Sequence, residues 1–134
     1  MVTTRLLNKQ EIKEAKRIVN EVFYHPPQSG HVWFGCFDLD LLIAVATLRC
    51  YHGYWFLRGA FVEPKYRGKH IQRKLIRARL KYLQNNTHAT VAKAHILPKN
   101  TYSQANILAC GFKQTKNKNI KGVIFNVFQK EIKR

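Results

Sequence analysis

The chain has 134 residues, which fits one domain of ordinary size and excludes two full domains. Hydrophobic residues make up 46% of the sequence, a share that supports a packed core and excludes a disordered chain. Lysine and arginine number 24 against 7 acidic residues, and the resulting net charge of +17 favours an anionic cofactor or a polyanionic partner over an inert basic surface.

The first half of the chain is predicted to hold a strand, an amphipathic helix and three further strands. Asn8 precedes an apolar row at helical spacing and is followed three residues later by Glu11, an arrangement typical of a capping box. Prolines and a glycine in residues 24–31 indicate a loop. The predicted elements are a strand at 3–7, a helix at 9–23, and strands at 32–37, 41–48 and 54–62.

The second half is predicted to alternate helices with strands. Gly111 is typical of the residue that follows a helix end. The predicted elements are a helix at 71–84, a strand at 89–97, a helix at 100–110, and a hairpin of 112–115 with 123–128. The order β-α-β-β-β-α-β-α-β-β predicts one α/β (α+β) domain over residues 1–134, with a mixed, mostly antiparallel sheet flanked by helices.

The cysteines and the short apolar runs indicate a soluble protein of a reducing compartment. Cys36, Cys50 and Cys110 form an odd set without C-x-x-C spacing, so we expect reduced thiols in or near the core and no metal site. The longest apolar run, at 41–48, is too short to cross a bilayer. We therefore expect a cytoplasmic monomer or homodimer without a membrane partner, located in the host cytoplasm if the protein is viral.

Residues 61–76 carry the most chemistry, because a strand runs there into a basic loop that opens a helix. The first N–H groups of a helix have no intrahelical partner, and the helix dipole is positive at that end. A phosphate at residues 67–72 would meet these groups together with Arg67, Lys69 and Arg73. The stretch therefore predicts an anion site, with an ordinary basic turn as the alternative.

Residues 62–72 read Val-Glu-Pro-Lys-Tyr-Arg-Gly-Lys-His-Ile-Gln and resemble the central motif of the GNAT superfamily of acyl-CoA N-acyltransferases, Val-x-Pro-x-Tyr-Arg-Gly-x-Gly-x-Gly or Ala. Asn100 stands eleven residues before Gly111 and Phe112, as in the Asn…Gly-Phe signature of that family. The resemblance implies the GNAT fold over nearly the whole chain, with acetyl-CoA or another acyl-CoA as the cofactor. The cofactor-binding residues that it implies are Phe61, Val62, Arg67, Gly68, Lys69, His70, Ile71, Gln72 and Arg73, with Asn100 near the pantetheine or acceptor side.

Several positions depart from the family pattern. His70 and Gln72 stand where the motif has glycine or alanine, and glycine lets the backbone approach a pyrophosphate closely. Strand 54–62 holds no carboxylate base, and Ile107 occupies the position of the general-acid tyrosine. An acceptor amine could still attack directly, with the thioester carbonyl polarised by backbone N–H groups around residues 61 and 62. The candidate catalytic substitutes, each with a structural role as its alternative, are His52, His95 and Tyr102.

The loop at 24–31 is short for the segment that covers the acceptor in this family. A short cover indicates an open site suited to a macromolecule, and a minimal form of the fold is the alternative. Aromatic and basic side chains offer contacts to such an acceptor or to nucleic acid. The residues predicted for these contacts are Tyr24, His25, Tyr51, Arg77 and Lys81.

Together these features predict an N-acyltransferase that moves an acetyl or acyl group from acyl-CoA to an amine of a macromolecule. The predicted acceptor is a nucleic acid or a protein bound to nucleic acid. One alternative is a GNAT-like nucleic-acid-binding protein without catalysis, which the missing acid and base favour. Another is a phage DNA-base-modifying enzyme of the Mom type, which would flip a base into a pocket near residues 24–31.

Overall fold

The computed structural model of the chain describes residues 2–22 and 30–134, and the side chains of residues 20–22 lie outside that description. Its strands are β1 (Val2–Leu6), β2 (Val32–Asp38), β3 (Leu41–Tyr51), β4 (Tyr54–Val62), β5 (Val91–Ile96), β6 (Lys113–Gln114), β7 (Lys118–Ile120) and β8 (Val123–Glu131). Its helices are α1 (Lys9–Val22), α2 (Ile71–Asn86) and α3 (Thr101–Ala109), and a 3-10 turn at Pro64–Tyr66 leads towards α2. Within the described ranges, no helix has both the length and the apolar character needed to cross a membrane.

One mixed sheet forms the centre of the fold, in the order β1-β2-β3-β4-β5-β8-β6, with β7 paired to β8. The described pairings are antiparallel except that of β4 with β5, which is parallel because α2 crosses over between these strands. The predicted α/β class and mixed, mostly antiparallel sheet are confirmed. The structure adds one strand to the predicted order, since Lys121 and Gly122, at φ 51° and 86°, make a tight turn that pairs β7 with β8.

Helix α1 begins at the predicted capping box. The Asn8 side chain accepts a hydrogen bond from the Glu11 N–H at 2.8 Å, and the Glu11 carboxylate accepts one from the Asn8 N–H at 2.9 Å. Arg5 donates two more bonds to that carboxylate, at 2.7 and 2.8 Å, and these contacts lower the Glu11 pKa to about 2. The start of α1 is thereby tied to the edge strand β1.

Two apolar clusters lie on opposite faces of the sheet, because strand side chains alternate between faces. Helix α1 covers one face, where Ala15 and Val19 pack with Trp33 of β2. Helix α2 covers the other face with a row that includes Leu75 and Leu83, both 0% exposed. This layering holds the N-terminus of α2 beside the end of β4, where the basic loop lies.

The three cysteines have different surroundings. Cys36 is buried with its sulfur 3.1 Å from the Thr4 hydroxyl, and Cys110 is half-buried. Burial raises the pKa of both thiols, which favours the unreactive protonated form. Cys50 is exposed, so the expectation that all three lie in or near the core is wrong for this residue, which stands where β3 leaves the core.

Candidate functional site

Strands β4 and β5 diverge soon after they meet, and a cleft opens between them. Their parallel ladder joins Trp55 to Ala92 and Phe56 to Lys93. Beyond Phe56 the facing edges of the two strands carry backbone N–H and C=O groups that no other described strand pairs. The cleft has a volume of about 520 Å³ and is lined by residues 57–60 of β4, residues 94–96 of β5, and the facing sides of α2 and α3.

A β-bulge bends β4 where the cleft begins. The register of β4 against β3 shifts beside Thr47, so that Gly59, at φ 38°, is an extra residue in β4. The Arg58 carbonyl at this bulge accepts hydrogen bonds from the Thr47 hydroxyl at 3.1 Å and from Arg79 Nη1 at 3.2 Å. Arg79 Nη1 also donates to the Thr47 carbonyl at 3.1 Å. The bulge is therefore held against the middle of α2 by one buried guanidinium.

The N-terminus of α2 has the features of an anion site. The N-cap residue His70 has a left-handed backbone, with φ 59°, and its side chain makes no capping hydrogen bond. The first N–H groups of α2 are thus left for an outside acceptor. Gly68, at φ 79°, leaves open space where a Cβ would stand, and Arg67 donates from Nε to the Val62 carbonyl at 2.9 Å while its side chain stays exposed. This open, positively charged cradle, which we call the anion site, fits a phosphate or pyrophosphate.

A polar network joins the start of α2 to α3. The Gln72 side chain donates to the Ser103 hydroxyl at 3.2 Å and accepts from the Asn106 amide at 3.0 Å. Arg73 donates from Nε to Asn106 Oδ1 at 2.8 Å, and Asn106 is 3% exposed. The network directs the Gln72 side chain towards α3, so this residue leaves the anion site uncovered although it replaces a small residue of the family motif.

Three cations lie near His95 on the sheet face opposite α2, and a fourth lies near one of them. Alternation along β4 and β5 puts Arg58 and His95 on that face, because their neighbours Leu57 and Ala94 belong to the cluster under α2. Burial lowers the His95 pKa, and the charges of Lys118, Arg58 and Lys93 lower it further. Burial and Arg49 likewise lower the pKa of Arg58. We call this set the cationic face: Arg49, Arg58, Lys93 and Lys118.

Aromatic rings lie among these cations. The His95 ring contacts Phe56 and Phe125, with centroids 5.2 and 6.2 Å away, and the Lys93 ammonium lies 3.9 Å above the Tyr54 ring. The cleft lining contains no carboxylate among the described residues. In the same part of the chain, no group of three or more His, Cys, Asp or Glu side chains could hold a metal ion. Rings and positive charges therefore define this side of the cleft.

Comparison with known proteins identifies the fold family. Residues 3–112, most of the chain, match the profile of the Acetyltransferase (GNAT) family. The chain belongs to the GNAT family. The family prediction made from residues 62–72 is thereby confirmed, and membership supports acyl-CoA as the cofactor class. A sequence search of curated proteins finds no match.

Solved GNAT structures share the fold at low sequence identity. The ribosomal-protein-S18-alanine N-acetyltransferase of Escherichia coli is 14% identical, with a TM-score of 0.80 over 100% of this chain and 96% of that chain. Arabidopsis thaliana NAA60 in complex with acetyl-CoA is 14% identical, with a TM-score of 0.81 over 98% and 99%. A mutant spermidine N-acetyltransferase SpeG from Vibrio cholerae is 16% identical, with a TM-score of 0.75 over 97% and 93%. These likenesses show the fold alone.

The cleft between β4 and β5 includes one of the three predicted catalytic residues, His95. His52 lies in the β3–β4 turn at φ 49°, exposed, with its ring 4.1 Å from that of Tyr51. Tyr102 is 47% exposed in the first turn of α3 and is not part of the cleft lining. Ile107, at the family's tyrosine position, is 3% exposed and lines the cleft with an apolar side chain.

The predicted cofactor residues divide between the anion site, the core and the cleft. The side chain of Phe61 packs against the cluster under α1, while Val62 and Ile71 are buried under α2. The part of β4 that lines the cleft is instead residues 57–60. Lys69 is exposed beside the anion site, and Asn100 lines the cleft while its Oδ1 caps α3 by accepting the Ser103 N–H at 3.1 Å.

The predicted acceptor contacts do not share one surface. Tyr51 is exposed near the cationic face, with the Arg49 guanidinium 4.9 Å from its ring centre. Arg77 and Lys81 line a separate groove of about 930 Å³ on the far side of α2. The cations of this basic groove are Arg77, Lys81, Lys113, Lys130 and Lys133. Outside the described residues lie Tyr24 and His25.

Sequence reasoning missed Arg79, Gly59 and Asn106 as site residues. A signal existed for Arg79, because it falls in one helical row between Leu75 and Leu83, both 0% exposed, where a cation is out of place. A glycine inside a strand is a known sign of a bulge, so Gly59 also had a signal. Asn106 had none, since its partners come from a different helix.

The left-handed backbone of His70 gives a stability prediction. Replacing His70 with glycine is expected to raise the free energy of unfolding by up to about 1 kcal/mol, since a left-handed conformation costs an L-residue roughly 1–2 kcal/mol. Urea denaturation measures the change. Lys69→Gly is the matched control, because Lys69 is exposed without a positive φ and should lose stability. Equal losses in both variants would show that His70 is unstrained.

Proposed function

We propose that the protein is an N-acyltransferase whose acceptor amine is carried by an anionic macromolecule, a nucleic acid or a protein bound to nucleic acid. The observation that carries this function is a cleft whose described lining has no carboxylate and which includes Gln72 from the first turn of α2, next to the anion site, and Arg58 and His95 from the cationic face. The anion site at the start of α2 suits the pyrophosphate of an acyl-CoA, and the cationic face around His95 suits phosphates near the acceptor amine.

The donor side depends on the anion site and the open strand edges. The first N–H groups of α2 and the exposed guanidinium of Arg67 would bind the pyrophosphate. The unpaired edges of β4 and β5 offer hydrogen bonds to the amides of a pantetheine arm. Acyl-CoA supplies a thioester, so transfer forms a C–N bond to the acceptor, breaks the C–S bond and releases the thiol of coenzyme A.

The acceptor side depends on charge. The cationic face would repel a polyamine, the acceptor class named for SpeG of Vibrio cholerae, because polyamines are polycations at neutral pH. The phosphates of a nucleic acid would instead be attracted. The exposed rings of Tyr51 and Tyr54 beside these cations offer stacking surfaces for bases.

The same charges favour the neutral amine that must attack. An ammonium placed among Arg58, Lys93 and Lys118 would have a lowered pKa, since like charges disfavour the protonated form. The lowered pKa of His95 makes its imidazole neutral at pH 7, and a neutral imidazole can accept the proton that the amine releases. The cleft therefore has a route to amine attack without a carboxylate base.

A nucleic-acid-binding protein without acyl transfer is the second candidate. Ile107 favours it, because an apolar side chain lines the cleft where the family has its general-acid tyrosine. The cationic face would then bind phosphates and the cleft would have no reaction to perform. The Mom-type hypothesis invokes a pocket near residues 24–31, most of which lie outside the described residues.

Arg67→Glu is expected to weaken acetyl-CoA binding at least tenfold, because a charge-assisted bond to a phosphate contributes roughly 1.5–3 kcal/mol. Isothermal titration calorimetry measures the dissociation constant. Lys16→Glu makes the same charge change at an exposed position of α1 and should bind acetyl-CoA as the wild type does. A wild-type protein that binds neither acetyl-CoA nor coenzyme A would overturn the donor assignment.

Single-stranded DNA and RNA are expected to bind with an affinity that falls steeply with salt, each phosphate contact adding about −0.7 to the slope of log K against log salt. The double variant Lys93→Glu, Lys118→Glu should lose one to two phosphate contacts and so flatten the slope by about 0.7 to 1.4. Fluorescence anisotropy at several salt concentrations measures the slope. Lys9→Glu with Lys13→Glu on α1 is the matched control.

Transfer of the acetyl group can be tested with radiolabelled acetyl-CoA. The protein is incubated with this donor and the same oligonucleotides, with and without a basic protein bound to them. Label on the nucleic acid or on the bound protein would support the proposed acceptor. Label on spermidine alone would contradict it. Salt-dependent binding with no transfer to any acceptor would favour the second candidate.

His95→Gln is expected to lower kcat/KM for the labelled acceptor roughly a hundredfold or more, the usual effect of losing a general base. Because the pKa of His95 is lowered, wild-type activity should rise with pH below about 6.5 and then level off, and the variant should lose this limb. His88→Gln, at an exposed turn, is the matched control, and His52→Gln and Tyr102→Phe test the other predicted residues. An unchanged pH profile in His95→Gln would exclude His95 as the base.

A further inference from the structure

Helix α2 carries a buried cation that the proposed transfer of an acetyl group leaves unexplained. Arg79 is 3% exposed, and it forms no ion pair within the described part of the chain. Its Nε and Nη1 donate to the carbonyls of Leu75, Thr47 and Arg58 at 3.1, 3.1 and 3.2 Å. Its Nη2 has no acceptor among the described residues and is not among the atoms that are sealed from solvent. The N–H groups of Nη2 are thus the part of the guanidinium that a ligand in the cleft could contact.

The guanidinium of Arg79 is the charged group on the α2 side of the cleft floor. It lines the cleft with Gly59 and Ala60 of β4 and with Ala94 and Ile96 of β5, which are apolar. It lies two turns along α2 from the anion site, about 10 Å at 1.5 Å per residue. A donor with its pyrophosphate at the anion site would therefore bring its acyl end, and not its phosphates, towards this residue.

Among the described residues no carboxylate pairs with Arg79, and this is energetically unfavourable. Removing a cation from water is costly unless a partner compensates for the lost hydration. Burial lowers the pKa of Arg79 to about 9, and the opposing effect of Cys110 does not offset it, which is the direction expected of a cation without a carboxylate partner. A carboxylate at Nη2 would provide that partner, because it would accept charge-assisted hydrogen bonds from the N–H groups of this nitrogen.

We propose that Arg79 binds the carboxylate of a dicarboxylic acyl group, so that the preferred donor is an acyl-CoA of the malonyl or succinyl class. This assignment of Arg79 rests on the proposed function, because it requires that an acyl-CoA binds in the cleft. An acceptor could also carry a carboxylate. Arg79, however, lies on the α2 side of the sheet with the anion site, whereas the cationic face lies on the opposite side. The position of Arg79 assigns the carboxylate to the donor.

Calorimetric titration of the intact protein with coenzyme A, acetyl-CoA, malonyl-CoA and succinyl-CoA tests the donor class without any acceptor. The wild type is expected to bind malonyl-CoA or succinyl-CoA roughly tenfold tighter than acetyl-CoA, the gain from one charge-assisted pair. Arg79→Gln keeps an N–H donor but removes the charge, and it should lose this preference. Arg79→Lys keeps the charge and should retain part of it.

Coenzyme A itself reports whether the variants are folded with an intact anion site, because it lacks the acyl group. Equal wild-type affinity for acetyl-CoA and both dicarboxylic esters would overturn the assignment of Arg79 and leave the proposed function standing. A preference for the dicarboxylic esters that survives in Arg79→Gln would likewise overturn the assignment of Arg79 and leave the proposed function standing. Failure of all four compounds to bind the wild type would overturn the proposed function as well.

Free succinate titrated into protein saturated with succinyl-CoA separates the two sources of the carboxylate. No binding of succinate is expected, because the carboxylate of the donor then already occupies Arg79. Binding that is lost in Arg79→Gln would place the carboxylate on the acceptor and overturn its assignment to the donor.

Discussion

The separation of β4 from β5 beyond Phe56 is the constraint on which the rest of the site depends. Strands that leave their ladder expose backbone groups that must find other partners. Part of the solution is local, since the bulge at Gly59 turns β4 aside and the Arg58 carbonyl accepts two side-chain hydrogen bonds there. The remaining edge groups are left open to the cleft. Edges that would be a defect in a continuous sheet here give an extended ligand a place to add hydrogen bonds between two strands.

Helix α2 connects the regions of the molecule that carry charge. Its first turn provides the anion site and is tied to α3 through Asn106. Two turns further on, Arg79 holds the bulge and reaches the cleft. Its outer side carries Arg77 and Lys81 into the basic groove. A shift of α2 along its axis would therefore alter the anion site, the bulge and the cleft together, and the fully buried core row of α2 opposes such a shift.

Features fixed by neighbours in sequence could be predicted from sequence. The capping box of Asn8 and Glu11 depends on residues three positions apart, and the structure has it. The environment of His95 could not be predicted, because Lys118 reaches it from β7 only after β5 and β8 have paired. His52 looks as suitable as His95 in the sequence, and only the topology of the sheet puts one of them in the cleft.

The charge of +17 has a different meaning once it is divided by location. A coenzyme pyrophosphate can offset the charge at the anion site, but it does not reach the cationic face on the other side of the sheet. Three cations near one histidine and a fourth beside Arg58 repel one another, and a small neutral acceptor would leave that repulsion uncompensated. An anionic acceptor compensates for it, while Arg58 and Lys93 disfavour the protonated form of an amine placed beside them. The charge that binds the acceptor is then also the charge that makes a carboxylate base unnecessary.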